Sequence, residues 1–411
     1  MTMYFPPAGG GGVQRSLKLA QYLPALGIET HVLAPDDPKW VHRDPDTHVP
    51  TQAWIHRARY VGPRARKPAE ELRAAEGLER ALVQAQVTAR RLLLPDASVT
   101  WNLTAIPAAI RIARREEIDA VITTSPPPSV HFVGAAVQRA TGARWIADLR
   151  DPIVANQHRR DDTTAARARQ AANEQVAKLV ARRADAVTCV SEAIAAELRE
   201  LEARGDVRVV ANGCDFDDFA GLEYTPAPRF RITHTGSFFG KRNPRPFLTA
   251  LKESGLESAV ARFVGDLTTR DREWAETLEL GDRLELLPFG SRRRSLAYQR
   301  DSEALLLLLP QAGERGTPVL PGKIFEYLAA ERPILAAVPT TGAAANLIRE
   351  ADAGVVVPPD DSAAIREALL GLEARWRAGQ LNGTPLRPEL RDRISRRRRV
   401  EELSELILQT A

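Results

Sequence analysis

Cysteine is nearly absent from this 411-residue chain, which carries only Cys189 and Cys214. Two cysteines cannot build a disulfide framework, and neither lies in a Cys/His spacing suited to zinc. Buried thiols in a reducing cytosol are the expectation, and with them a cytoplasmic location. A long apolar run is missing too. The longest, "ALLLLL" from Ala304, is too short to cross a bilayer and suits a buried strand. The chain does not open on a charged stretch followed by an apolar one, so no secretory leader is read there. Charge of one sign does not dominate. A formal excess of +4 spread over so long a chain gives no argument for nucleic acid as a partner. Two clusters stand out, Arg292 to Arg294 and Arg396 to Arg399. Solvated helix faces are the simplest account of both, with peripheral contact to an anionic membrane, or to a phosphorylated ligand, as the alternative.

What is present is a soluble, globular composition: 44% hydrophobic and 27% charged residues. Short β-branched or apolar runs alternate with longer amphipathic segments, the pattern of α/β units with parallel sheets. In the first half the strand-like runs cover 29–35, 119–125, 143–149, 185–191 and 207–213. A helix is expected over Val13 to Leu26, closed by Gly27. After the proline-bearing linker "YTPAPR" (Tyr224 to Arg229) a second series begins, from "FRITHTG" through "ARFVGD", "RLELLPFG", "EALLLLLP" and "RPILAAVP" to "AGVVVPP". Two such series predict two Rossmann-like domains facing each other across a cleft. The boundaries expected are 1–222 and 223–395, with an amphipathic helix at about 396–411 crossing back to the first domain. The Pro-, Arg- and Trp-rich segment Asp36 to Ala97 reads as an insertion after the second strand, ending in a long charged helix.

Near the start lies "YFPPAGGGGVQR", with Gly9 to Gly12 directly before the first expected helix. Glycines there let a backbone approach a ligand closely and expose N–H groups at the positive end of a helix, a ready anion site. The spacing matches neither the dinucleotide fingerprint nor the P-loop, and a flexible turn is the plain alternative. The strand before it comprises only Thr2 to Phe5, and a start codon placed too late is one explanation for its brevity.

From here the residues resemble a family. "FPPAGGGGVQR" looks like the first loop of retaining glycosyltransferases with two Rossmann-like domains (GT-B), family 4 in particular. "TTSPPPSVHFVG", "DLRDPI", "VSEA", "NGCDFDDF", "THTGSFFGKRNP", "FVGD" and "PGKIFEYLAAERPILA" follow in the family's order over nearly the whole chain. The resemblance implies transfer of a sugar from a nucleotide diphosphate to an acceptor, with a nucleotide-sugar donor and no dedicated protein nucleophile. Arg242 and Lys323 would clamp the departing diphosphate, and His131 would contact the donor sugar near the reacting carbon. Gly10, Gly11, Gly12, Gly236, Lys241, Gly322 and Glu326 would complete the donor site, with Glu326 on the ribose. Eight residues before Glu326, where the family has a first glutamate, stands Pro318. Asp148 and Asp151 are expected on the acceptor side; the insertion's Trp40 and Trp54 would suit a flat or apolar acceptor and would equally suit a local core. The Asp-x-Asp within Asp215 to Asp218 is expected to cap a turn, so no metal and no other cofactor is expected. Two rival readings accompany this one: an epimerase on the same fold, and a catalytically silent nucleotide-sugar-binding subunit.

Overall fold

The computed structural model describes residues 1–39, 41–63, 92–154, 163–238, 242–311, 320–383 and 385–410. The chain forms two compact units, Met1–Ala211 with Arg396–Ala411, and Asn212–Ser395. The division falls at Ala211 rather than at 222, because Cys214 and Phe219 are buried in the core of the second unit.

In the first unit the strands are β1 (His31–Pro35), β2 (Trp54–Ala58), β3 (Ala120–Ser125), β4 (Arg144–Leu149), β5 (Ala186–Cys189) and β6 (Asp206–Val209). Parallel ladders join β3, β4, β5 and β6 in that order, and β1 with β2. The opening residues bridge the two ladders. Thr2 donates its N–H to Leu33 at 3.1 Å, Thr124 donates its N–H to Met1 at 3.1 Å, and Thr2 pairs with Thr124 in parallel. The brief first strand is thus central. β3 to β5 read as near-continuous apolar runs because helices cover them, among them His131–Thr141, which packs on β3 and β4.

The strand β2 was not expected. It lies inside the segment read as an insertion, where "WIHRA" has neither a long apolar run nor a regular alternation. Its Trp54 is 63% exposed and stacks on His31, at the ends of β1 and β2 where the strands begin. That places it at the edge opposite the carboxyl ends of the strands. Trp40 and the expected long charged helix lie outside the described residues.

The helix Arg396–Thr410 belongs to the first unit. Val400, Leu403, Leu406 and Ile407 are buried with Leu23, Ile146 and Ala186. Four such side chains contribute roughly 6–12 kcal/mol of gross hydrophobic stabilisation, before the entropy of ordering is subtracted. Arg396 itself is buried, so this arginine cluster is not wholly a solvated face.

The second unit carries β7 (Phe230–Thr235), β8 (Ala259–Val264), β9 (Leu284–Leu287), β10 (Ala304–Leu308), β11 (Ile334–Ala337) and β12 (Gly354–Val357). Their order across the sheet is β12-β11-β10-β7-β8-β9, all parallel. Counted within the unit this is the doubly wound 3-2-1-4-5-6 arrangement, and its direction reverses between β7 and β10. Loops diverge at such a point and leave a crevice outside the carboxyl ends of the strands. The residues gathered there decide what the unit can bind.

Candidate active site

At the end of β7 the chain turns through Gly236, whose φ of 110° is one that L side chains rarely adopt. A Cβ on Gly236 would lie 3.0 Å from the Lys323 ammonium, so the bare backbone is what lets that group approach. Lys323 is the second residue of the helix Gly322–Ala329, where unpaired N–H groups and the helix dipole favour an anion. Gly322 is exposed, with open space where a side chain would be. Tyr327, one turn further on, ties this helix to the sheet, its hydroxyl accepting the Thr235 N–H at 2.9 Å.

The Lys323 Nζ lies 3.1 Å from Nε2 of His234, a fully buried residue of β7. The other ring nitrogen of His234, Nδ1, lies 2.9 Å from the Leu306 carbonyl, which only accepts. Nδ1 therefore carries the proton and Nε2 turns its lone pair to the lysine. Burial first, and the adjacent lysine second, push the His234 pKa well below its ordinary value. Lys323 is itself held well below the lysine range by burial and by the charge of Arg242, with Glu326 pulling the other way. Burial also lowers the Arg242 guanidinium. The crevice thus holds two desolvated cations, one of which, Arg242, disfavours the charge on the other, an arrangement that an anion would relieve. Lys241 lies outside the described residues, as does Pro318.

Glu326 stands in a different state from the one expected. Its Oε1 accepts from Arg292 Nη1 at 2.6 Å and its Oε2 from Gln299 at 3.2 Å. Arg292 also binds Asp218 at 2.9 Å. Although burial opposes it, these two carboxylates hold the guanidinium pKa above even the ordinary arginine value. Arg292 is therefore a buried link and not the solvated residue its cluster suggested. Asp215 caps the turn Phe216–Phe219 by accepting the Asp217 N–H at 3.1 Å, the use expected for this Asp-x-Asp.

In the first unit, the glycine-rich loop closes the top of the first strand. Gly9 is held by its N–H to His42 at 2.8 Å. Gly10 has a φ of 91°, and neither it nor Gly11 has any atom within 4 Å of a would-be Cβ. Gly12 lies against the Tyr4 ring, and its carbonyl accepts from Arg150. Arg150 also donates to the Ser125 carbonyl at 2.9 Å, so it pins the loop to the end of β3.

Asp148 was expected to face an acceptor. Instead it is fully buried and engaged on every side. Arg15, just after the glycine loop, grips it through Nε at 2.9 Å and Nη2 at 2.7 Å, and Thr188 donates at 2.7 Å. Burial would raise the carboxyl pKa, but Arg15 and Thr188 outweigh it and hold it below the usual range. The pair was invisible in the sequence, since its members lie 133 positions apart. Asp151 remains exposed at the same strand end.

His131 is also an interior residue. Its ring is buried, with Nδ1 2.9 Å from Thr123 Oγ1, a hydroxyl that also receives the Trp145 indole N–H at 2.7 Å. The ring is thus anchored to β3 through Thr123, while no hydrogen-bond partner meets its Nε2 among the described residues. Burial pushes its pKa down to about 4. The unfolded chain, with histidine near 6.5, binds the proton first, so stability is full above 6.5 and falls as pH drops toward 4. The loss is at most about 3 kcal/mol. His131→Phe is expected to flatten the pH dependence of Tm across that window; an unchanged slope would contradict the assignment.

The family model described as Glycosyltransferase Family 4 matches residues 9–218, just over half of the chain. The chain belongs to glycosyltransferase family 4. Sucrose-phosphate synthase of Thermosynechococcus elongatus superposes with a TM-score of 0.67 at 16% identity, over 97% of this chain and 93% of that one. A glycosyltransferase of Rickettsia africae gives a TM-score of 0.61 at 14% identity, over 100% and 98%. HepE of Anabaena in complex with UDP gives 0.61 at 13% identity, over 99% of both chains. No curated protein sequence matches. The structural likenesses establish a shared GT-B fold, with two Rossmann-like domains, and family membership makes the protein a glycosyltransferase. No helix among the described residues of the glycosyltransferase is long and apolar enough to cross a membrane.

Proposed function

We propose that this enzyme transfers a sugar from a nucleoside-diphosphate sugar to a glycan, lipid-linked or natural-product acceptor, with retention at the anomeric carbon and without a metal ion. The observation that carries the reading is the pair Lys323 and Arg242 at the topological switch point of the second unit, beside a helix N-terminus. A leaving diphosphate gains charge as the glycosidic bond breaks. Fixed cations and oriented N–H groups stabilise it without reorganising. Metal independence is supported by these cations and by the use of Asp215 in a turn and Asp218 in an ion pair.

Solved forms of Anabaena HepE hold UDP, UDP-glucose, or UDP with glucose, which supports the donor class by analogy of fold. In the second unit Gly236, Gly322 and Lys241 would line the diphosphate. Glu326, oriented by Arg292 and Gln299, would meet the ribose with its remaining lone pairs. In the first unit, the open backbone at Gly10, Gly11 and Gly12, together with Asp151, would contact substrate at the strand ends. With retention, the departing phosphate takes the acceptor proton, and no side-chain nucleophile is needed.

The test is nucleotide release from UDP-, GDP-, ADP- and dTDP-sugars in the presence of EDTA, with the anomeric configuration of any product read by NMR. Release from one donor class in EDTA is expected, with configuration retained. Activity lost to the chelator and restored by magnesium or manganese would contradict metal independence, and an inverted product would contradict retention.

A further inference from the structure

Between β7 and the helix Gly322–Ala329 lies a buried histidine for which donor binding alone gives no reason. His234 is 0% exposed, and its ring packs at a tilt against aromatics, 4.8 Å from Phe238 and 5.8 Å from Phe263 between centroids. A phenylalanine would fill such a slot without burying two polar nitrogens. Histidine adds one thing, a directed chain of hydrogen bonds. The Leu306 carbonyl accepts from Nδ1 at 2.9 Å, which leaves Nε2 as an acceptor 3.1 Å from the Lys323 ammonium. Leu306 lies on β10, so the chain crosses the switch point from one strand to the other before reaching the lysine.

From this geometry we infer that His234 is a positioning residue that holds Lys323 aimed at the donor's diphosphate. The inference rests on the reading of Lys323 as a diphosphate clamp. A lysine carries several rotatable bonds and loses affinity when it must be ordered at the moment of binding. A neutral acceptor behind it removes part of that loss and does not neutralise the charge, as a carboxylate would.

The charged and titratable groups facing Lys323 among the described residues are Arg242 from the loop after β7, Glu326 and Tyr327 from its own helix, and His234. Burial and Arg242 lower the pKa of Lys323, and a bound diphosphate, which favours the charged amine, should raise it. Affinity then falls as pH rises above the lowered lysine value and before the ordinary value of 10.5 is reached.

The experiment is calorimetric titration of UDP, GDP, ADP and dTDP, in buffers of differing ionisation enthalpy, into wild type, His234→Phe, His234→Gln, Lys323→Ala and the His234→Phe/Lys323→Ala double variant. The phenylalanine variant keeps the aromatic packing and should fold. It is expected to bind the accepted nucleotide about 30-fold more weakly, the scale of a hydrogen bond to a charged group. His234→Gln restores an acceptor and is expected within about threefold of wild type. The double variant is expected to bind no more weakly than Lys323→Ala alone, because His234 acts through the lysine. Wild-type affinity in His234→Phe or additive losses in the double variant would overturn this inference and leave the donor site standing. If the wild type binds none of the four nucleotides, the donor reading and this inference fall together.

Discussion

Lys323→Ala is expected to lower kcat/KM by about 10²–10³-fold while leaving the thermal transition near that of wild type, and Arg242→Ala to act similarly. The expectation follows from where the charge sits. Both cations are disfavoured by burial, and Arg242 further disfavours the charge on Lys323, so their removal costs the fold little. Their worth is realised only when a diphosphate separates from the sugar and its charge grows. Loss should therefore fall on kcat as well as on KM, which distinguishes a group acting on the departing phosphate from one that merely recruits the donor. Lys323→Arg should recover only part of the activity, because the broader guanidinium does not fit behind Gly236 against His234. A rate within about threefold of wild type in both alanine variants would remove the clamp from the mechanism.

The second large effect is on folding. Arg15→Ala leaves the Asp148 carboxylate fully buried with only Thr188 as a close donor. Breaking one side of a buried ion pair typically costs about 3–5 kcal/mol, a large part of the stability of an ordinary domain. A fall in the Tm of the first unit of roughly 10 °C is expected. The double variant Arg15→Met/Asp148→Leu removes both charges and is expected to recover much of the loss, because the desolvation penalty disappears with the pair. Arg15 also donates to the Val210 and Ala211 carbonyls at 3.1 and 3.3 Å, and those bonds are not recovered. A single variant that melts within about 2 °C of wild type would show that the pair does not stabilise the fold.

The strands of both units were legible because buried parallel strands must be apolar along their length, and "DAVITTS" or "EALLLLLP" can hardly be anything else. The glycine loop, Gly27 as a helix stop with a φ of 81°, and Asp215 as a cap were legible because backbone geometry restricts the residues that suit them. β2 was missed because "WIHRA" is only partly covered and carries no apolar run. The misread side chains share another cause. Asp148, Arg292 and His131, like His234, which the sequence did not single out, take their roles from partners on distant elements, and no local pattern announces a partner far along the chain. A family motif marked Asp148 and His131 as special residues, yet the structure uses the side chain of each to hold the unit together. Arg292 is the converse case. Within "SRRRS" it looks like one more solvated arginine, while its neighbours Arg293 and Arg294 do remain exposed, Arg294 beside Tyr298.

The account turns on a metal-independent nucleotide site at the switch point of the second unit. It is tested most directly by titrating UDP, GDP, ADP and dTDP in EDTA into the wild type and into Lys323→Ala. One nucleotide binding the wild type, and binding the variant at least tenfold more weakly, is the result expected. Equal binding to both proteins, or binding that appears only when magnesium or manganese is added, would contradict it.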